Sequence, residues 1–407
     1  MSELTLMCPH CGNVVEDTRI VSDRRTGGAR GHCSRCRTWI PLQPPSIRKK
    51  LVYLDQSFLS NLCPRAGSPV ADPILNRLFS KLQRLKVLNK IYLVVSDVHC
   101  RETSAFPDQY LKEMKKLWKF QSDLADGKIA ANWADVFVAQ HRRMFAGDGS
   151  DPYPVADIGL DDPHRVHIGV RVVTTNSWML QNYRDYASTG DEVNNRFREI
   201  IDRQVENIPH CQAVTDCLNY VRVLWRNDIQ QGITARQQKI DFLLSFEQLG
   251  EYPDARQLAT LQIPHLHNAL FQNIIGDVTS GLDETAVLQR WSELLKNDPI
   301  GPCPSLRIRT ALEAELLWTR YQKQRSNPNK FNENFGLSRQ NDIDHVSAFV
   351  PYVNALTTDK DMHNLCKHKV VDDEIKQFQC KIFSKKNYDE FEEWLDGLLT
   401  EPNSTVC

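Results

Sequence analysis

The first clear pattern in the chain is an unbroken apolar run, Leu51-Val52-Tyr53-Leu54, that stops on Asp55. A short continuous run of this kind suits a strand buried on both faces. A second run, Ile91-Tyr92-Leu93-Val94-Val95, stops on Ser96-Asp97, and a helical pattern from Pro73 to about Lys86 lies between the two. From about Pro107 to Asn297 apolar residues recur mostly at helical spacing, as in Tyr110–Ala125, Trp133–Phe145, Glu192–Asn207, Thr215–Asp228 and Thr285–Leu295. The stretch Asp151–His167, rich in Asp and Pro, reads as a long loop. Pro304–Gln324 predicts another helix, Ser326–Phe335 a polar loop and Asp342–Tyr352 a helix. Ala355-Leu356-Thr357-Thr358 and Lys381-Ile382-Phe383 follow as short strands, and Tyr388–Leu399 as a closing amphipathic helix.

Strands alternating with helices at both ends predict an α/β fold with a parallel sheet flanked by helices. The long helical middle, about 104–300, then interrupts a sheet domain that spans 50–407. No apolar run approaches the ~20 residues of a membrane helix. Met1-Ser2-Glu3-Leu4 begins no basic-then-apolar leader, so the expectation is a cytoplasmic protein with no membrane partner.

Composition changes the picture in the first 45 residues. The chain has 12 cysteines, and four form two tight pairs, Cys8-Pro9-His10-Cys11 and Cys33-Ser34-Arg35-Cys36. A two-residue spacer lets both thiolates of a pair reach one tetrahedral ion, and Gly12–His32 is long enough for a β-hairpin and return. Residues 1–45 are therefore predicted to be a zinc ribbon, with Cys8, Cys11, Cys33 and Cys36 as ligands of a structural Zn²⁺. His10 and His32 are non-ligands, because four thiolates fill the site. The remaining cysteines are scattered and read as buried thiols.

The net charge of −1 is uneven. Residues 1–50 hold nine basic groups against four acidic ones, so the remainder is acidic. Arg24, Arg25, Arg30, Arg35 and Arg37 could hold phosphates, and Trp39 could stack on a base. A metal-stapled mini-fold and a protein-contact module are the bland readings of the same segment.

Acidic residues follow the predicted strands. Asp55 ends the first, Glu102 lies within the helix start after the second, and Asn341-Asp342-Ile343-Asp344-His345 and Thr358-Asp359-Lys360-Asp361 flank the third. Strand ends of one parallel sheet lie side by side, so these acids could converge. Such a cluster repels itself unless cations such as Mg²⁺ or Mn²⁺ neutralise it, and two ions of that kind can hydrolyse a phosphodiester. Taken singly, an Asp after a strand is more commonly a helix cap. A dehalogenase-like phosphatase would want a second Asp where Ser57 stands.

The order of these segments resembles the PIN-like family. Leu51 through Ser57 resembles its first strand and first acid, Val94 through Thr103 its second segment with Glu102, and Asp342 through Met362 its third and fourth acids. Cys380-Lys381-Ile382-Phe383-Ser384 resembles its last strand. The resemblance covers about 50–103 and 304–399. It implies a Mg²⁺- or Mn²⁺-dependent endonuclease acting on nucleic acid, RNA before DNA, with Asp55, Glu102, Asp342 or Asp344, and Asp359 as catalytic metal ligands. The third acid is open: spacing to Asp359 favours Asp342, while the helical face shared by Asp342, His345 and Phe349 leaves Asp344 on its own side and favours it. The chain departs from the pattern at Gln56-Ser57, where Thr-Asn often stands, and at Asn354, where an acid is sometimes found. The alternative is a non-catalytic nucleic-acid- or protein-binding module, with a protein partner reached through the helical insert.

Overall fold

A computed structural model describes residues 6–7, 11, 13–15, 20–23, 28–42, 49–63, 72–104, 108–125, 129–147, 154–158, 160, 211–249, 274–298, 300–326 and 337–401. The apolar runs form strands as their pattern requires. In the N-terminal segment Leu6–Met7 (β1) pairs antiparallel with Val14–Val15 (β2), and Ile20–Asp23 (β3), Gly28–His32 (β4) and Trp39–Leu42 (β5) form an antiparallel sheet in that order. The main sheet holds Lys50–Tyr53 (β6), Ile91–Val94 (β7), Ala355–Thr357 (β8) and Lys381–Phe383 (β9), all parallel, in the order β7-β6-β8-β9. Tyr53 stands opposite Val94 on one side and Leu356 on the other. The fold is α/β, with a small four-stranded parallel sheet and many helices.

Successive strand residues point to opposite faces, and both faces are covered. Val52, Leu54, Ile91, Leu93, Val95, Ala355 and Phe383 pack on helices Gln56–Leu62 (α1), Pro73–Val87 (α2), Leu111–Leu124 (α4) and Tyr388–Thr400 (α12). On the other face Leu51, Tyr53, Tyr92, Val94 and Leu356 join one core with Trp133–Ala146 (α5), Glu284–Asn297 (α7), Pro304–Ser326 (α8) and Leu337–Phe349 (α9). Helix Asp97–Ser104 (α3) follows β7, and Lys360–Cys366 (α10) and Lys369–Ile375 (α11) follow β8. The last two lie where the sequence reading assigned no element.

The predicted insert belongs to this second layer rather than hanging from it. Trp291 and Phe137 are buried in the same cluster as Tyr53. Gln140 donates to the Tyr352 hydroxyl at 2.7 Å, and that hydroxyl donates to Asp157 at 2.8 Å, tying the insert to the turn before β8. Thr215–Asp228 extends into a single helix, Val214–Leu249 (α6). The predicted helix Glu192–Asn207, the linker 43–46, most of the loop 151–167 and Cys8 lie outside the described residues. No helix among the described residues is long and apolar enough to cross a membrane.

On the first face Phe391 is fully buried, stacked on Phe383 with ring centroids 4.7 Å apart and set edge-on to Phe58 at 6.3 Å. Phe391→Ala is expected to cost about 3–5 kcal/mol, the transfer loss plus the cavity left behind. Urea denaturation followed by tryptophan fluorescence checks it, and a cost under ~1 kcal/mol would mean that the closing helix does not complete this core.

Candidate functional site

All four main strands run the same way, so their carboxyl ends share one edge. The chain leaves β6 for β7 on one side and returns to β8 on the other. The connections thus diverge at the carboxyl end of β6, the place where parallel sheets bind ligands.

Asp55 stands at that strand end and is buried. It caps α1, accepting from the Phe58 amide at 3.2 Å. The Thr357 hydroxyl accepts from the Asp55 amide and donates to Asp55 Oδ1, both at 2.9 Å, so β8 clamps the acid to β6. Ser57 donates to Oδ2 at 2.5 Å. Behind it His99 donates from Nε2 to the Leu54 carbonyl at 2.6 Å and accepts the Ser96 amide at Nδ1 at 3.0 Å, which marks it as a satisfied core histidine. Burial takes its pKa down to about 4.

Glu102 projects from α3 and accepts from Asn341 Nδ2 at 3.1 Å. Gln56 donates to Thr103 at 2.9 Å, Thr103 to Gln121 at 3.1 Å, and Gln121 back to Gln56 at 2.6 Å. This closed ring joins the neighbours of Asp55 and Glu102 in the chain and holds α1, α3 and α4 together. Gln56 thus ties the segment of Asp55 to that of Glu102. Asn354 lies at the other end of the sheet, where its side chain accepts from the Leu51 amide at 2.9 Å and aligns the strand starts.

Asp359 caps α10, accepting the Met362 amide at 2.6 Å. Asp342 sits in the middle of α9, because that helix begins at Leu337 rather than near Asp342. His345 and Phe349, which share its helical face, pack on Tyr53 with ring centroids 5.3 Å and 4.7 Å away. The shared face is therefore the one turned to the sheet, and Asp342 joins Asp55, Glu102 and Asp359. Asp344 faces elsewhere, bound by Arg309 at 2.6 Å and Gln340 at 2.9 Å, with Arg101 at 3.6 Å. Of the two candidates left open in the sequence, the structure sets Asp342, and not Asp344, beside the other three acids.

The four acids strain against one another. Burial pushes Asp342 up to about 8; Asp359, Glu102 and Asp55 add to the shift, and Arg339 opposes it. Burial pushes Glu102 up to about 7, opposed by the Asn341 bond and Arg101 and reinforced by Asp55. Asp55 is also raised, by burial first and by Asp359 last, against its three hydrogen bonds. Buried polar atoms around the cluster have no partner: Asn341 Oδ1, Thr358 Oγ1 and both ring nitrogens of His345. The nearer imidazole nitrogen lies 3.8 Å from Asp342, too far for a hydrogen bond.

Sequence reasoning missed Asn341, Thr357 and Arg339. Arg339 had a signal, since it stands three residues before Asp342 on one helix. Asn341 and Thr357 act across 239 and 302 residues of chain, which no local pattern carries.

In the N-terminal segment Cys11, Cys33 and Cys36 are the only described residues whose ligand atoms lie within 4.8 Å of one another as a group of three. Cys11 Sγ and Cys33 Sγ are 3.5 Å apart, well beyond a disulfide at ~2.05 Å. The backbone at Cys36 and Arg35 bonds to the Cys33 sulfur and lowers its pKa. Arg37, at φ 58°, makes the left-handed turn that follows the second pair, its amide donating to the Cys33 carbonyl at 2.9 Å. Trp39 is 50 % exposed and lies against His32, with ring centroids 5.0 Å apart. Arg35 and Arg37 are exposed. Arg24 and Arg25 lie outside the described residues, and the side chain of Arg30 is not described.

Comparison of the chain with protein-family models, with curated proteins and with solved structures finds no match in any of the three.

Proposed function

We propose that this chain is a PIN-like, Mg²⁺- or Mn²⁺-dependent nuclease with an N-terminal zinc ribbon, acting in the cytoplasm on nucleic acid, RNA before DNA. One observation carries the reading. Asp55, Glu102, Asp342 and Asp359, drawn from segments up to 304 residues apart, meet at the carboxyl edge of the parallel sheet, and unpartnered polar atoms surround them.

The residues fit hydrated hard cations. No three of these oxygens come within 4.8 Å of one another among the described residues, so they form no closed cage. Mg²⁺ dehydrates reluctantly and is held by one or two carboxylates with waters filling the rest, which an open ring allows. Bound there, such ions would neutralise the acids, acidify a water and offset charge on a leaving oxygen. The chain's own part is positioning: Thr357 and Ser57 fix Asp55, Asn341 aims Glu102, and α9 presents Asp342. At the N-terminus the three clustered thiols of Cys11, Cys33 and Cys36 fit three positions of a Zn²⁺ site, and the CxxC spacing offers Cys8, outside the described residues, as the fourth ligand. The exposed Trp39, Arg35 and Arg37 fit a single strand, through stacking and phosphate contacts.

A second reading has support from the caps. Asp55 and Asp359 each terminate a helix, and a binding module could use them for that alone. A carboxylate has acceptor capacity for a cap and an ion together, so capping does not exclude catalysis. The test is cleavage of end-labelled single-stranded RNA and DNA by the full chain with Mn²⁺. Cleavage is expected, with RNA cut faster, and Asp55→Asn should abolish it at unchanged circular dichroism. If neither substrate is cut and Asp55→Asn alters nothing measured, the binding-module reading replaces this one.

A further inference from the structure

Arg339 sets a cation among the acids of the cluster. Arg339 Nη1 lies 3.7 Å from Asp342 and 3.6 Å from Asp359, and its Nη2 lies 3.4 Å from Asp361. One guanidinium thus faces three carboxylates from two segments of chain, and two of them are proposed ion ligands. Arg101, the nearest comparable arginine on α3, is engaged instead by Asp97 at 3.0 Å and Asp344 at 3.6 Å.

The lengths are informative. A charge-assisted N–H···O bond settles near 2.7–2.9 Å, and Arg309 on Asp344 reaches 2.6 Å. Arg339 stays farther from every partner, so it neutralises the cluster without closing a forked pair on any one acid. Its side chain is 16 % exposed, while those of Asp359 and Asp361 are 43 % and 70 % exposed. The guanidinium therefore lies on the side of the cluster that opens to solvent, where a substrate backbone must approach. A planar fork of N–H donors matches phosphate oxygens as well as carboxylates.

We propose that Arg339 is the counter-ion of the metal-free cluster and becomes a phosphate-binding residue when divalent cations take Asp342 and Asp359. This rests on the acids being an ion site. Arg339 and the cation compete for the same two carboxylates, so removing the guanidinium strengthens cation binding. The displaced guanidinium remains beside Asp361 at the solvent edge and meets the backbone of the incoming strand. A structural ion pair predicts the opposite sign, because losing it loosens the acids and weakens cation binding.

The experiment titrates Mn²⁺ into zinc-loaded full chain by calorimetry, for wild type, Arg339→Gln and Arg339→Lys. Each Mn²⁺-loaded protein is then titrated with a 2′-O-methyl RNA octamer that resists cleavage. Arg339→Gln should bind Mn²⁺ about fivefold more tightly, the effect of losing two partly screened ion pairs, and the octamer about tenfold more weakly. Arg339→Lys keeps the charge and should hold wild-type Mn²⁺ affinity, yet lose part of the octamer affinity with the fork. Equal or weaker Mn²⁺ binding by a folded Arg339→Gln, or an unchanged octamer affinity, overturns the role given to Arg339. If Arg339→Gln does not fold, Arg339→Lys decides alone, and octamer binding equal to wild type overturns the role. A wild type that takes up no Mn²⁺ overturns the ion site beneath it, a separate outcome visible in the first titration.

Discussion

Asp342→Asn is expected to lower Mn²⁺-supported cleavage at least about a hundredfold while making the metal-free protein more stable at pH 8. The two effects have one origin. The Asp342 carboxyl is pushed up to about 8 by burial and by its acidic neighbours, far above its ordinary 3.8. Between those values the folded chain keeps a proton that the unfolded chain has released, so stability falls as pH rises through that window. The favourable contribution is complete below the unfolded value and gone above about 8. Glu102, raised to about 7, acts in the same direction. The amide that replaces the carboxyl in Asp342→Asn never ionises, so the variant should match wild type near pH 4 and exceed it by several kcal/mol at pH 8.5. Asp344→Asn should do the reverse. It leaves Arg309, 8 % exposed, with Glu313 as its remaining carboxylate, and should cost about 2–4 kcal/mol at neutral pH. Urea denaturation at both pH values in divalent-free buffer, with cleavage rates at saturating Mn²⁺, separates the two acids. A wild type whose stability does not decline toward pH 8.5, with Asp342→Asn no more stable there, would remove the argument for a strained acid cluster.

Cys33→Ser is expected to release the zinc and unfold the first ~45 residues without disturbing the main sheet. Cys33 is fully buried, and Cys11 and Cys36 converge on it. A unit of this size has little apolar core, so ion binding supplies its folding free energy, on the order of 10 kcal/mol or more. Metal analysis should find one zinc per wild-type chain and none in the variant, and amide exchange should lose protection in β1 to β5 and not in the main sheet. The same variant should bind single-stranded RNA more weakly, with a reduced salt dependence, yet turn over at the wild-type rate when saturated. Trp39→Ala should keep the zinc and share the weaker binding, since one stacked base is worth ~1–3 kcal/mol. Wild-type protein without zinc would sink the ribbon, and unchanged RNA binding by Trp39→Ala would sink its stacking role.

The apolar runs at Leu51–Leu54 and Ile91–Val95 were legible as parallel strands because burial on both faces leaves no polar position to break them. The helices Pro73–Val87, Trp133–Ala146 and Tyr388–Thr400 were legible from their periodicity, and the cysteine pairs from their spacing. Asp55 and Asp359 could be assigned to strand ends for the same reason, since a polar residue that stops an apolar run marks where the chain leaves the sheet. Their two possible roles, cap or ligand, look alike in sequence, and the structure gives each its cap.

What the sequence left open depended on contacts between distant segments. Whether Asp342 or Asp344 joins the other acids turns on which face of α9 meets Tyr53, and a two-residue step along a helix rotates a side chain by about 200°. The helix begins five residues before Asp342, so the sequence boundary misjudged its setting. Arg309, 35 residues upstream, claims Asp344 and leaves Asp342 to the cluster. The insert could be read as helical but not as a layer of the core, because Trp133 and Trp291 share one core with Tyr53, Tyr92 and Leu356, which lie on strands far away in the chain. Sequence alone determined the main strands, most of the helices, and Asp55 and Asp359 at strand ends. Tertiary packing decided which acids face one another, because burial and charge act through space between residues that the chain keeps apart.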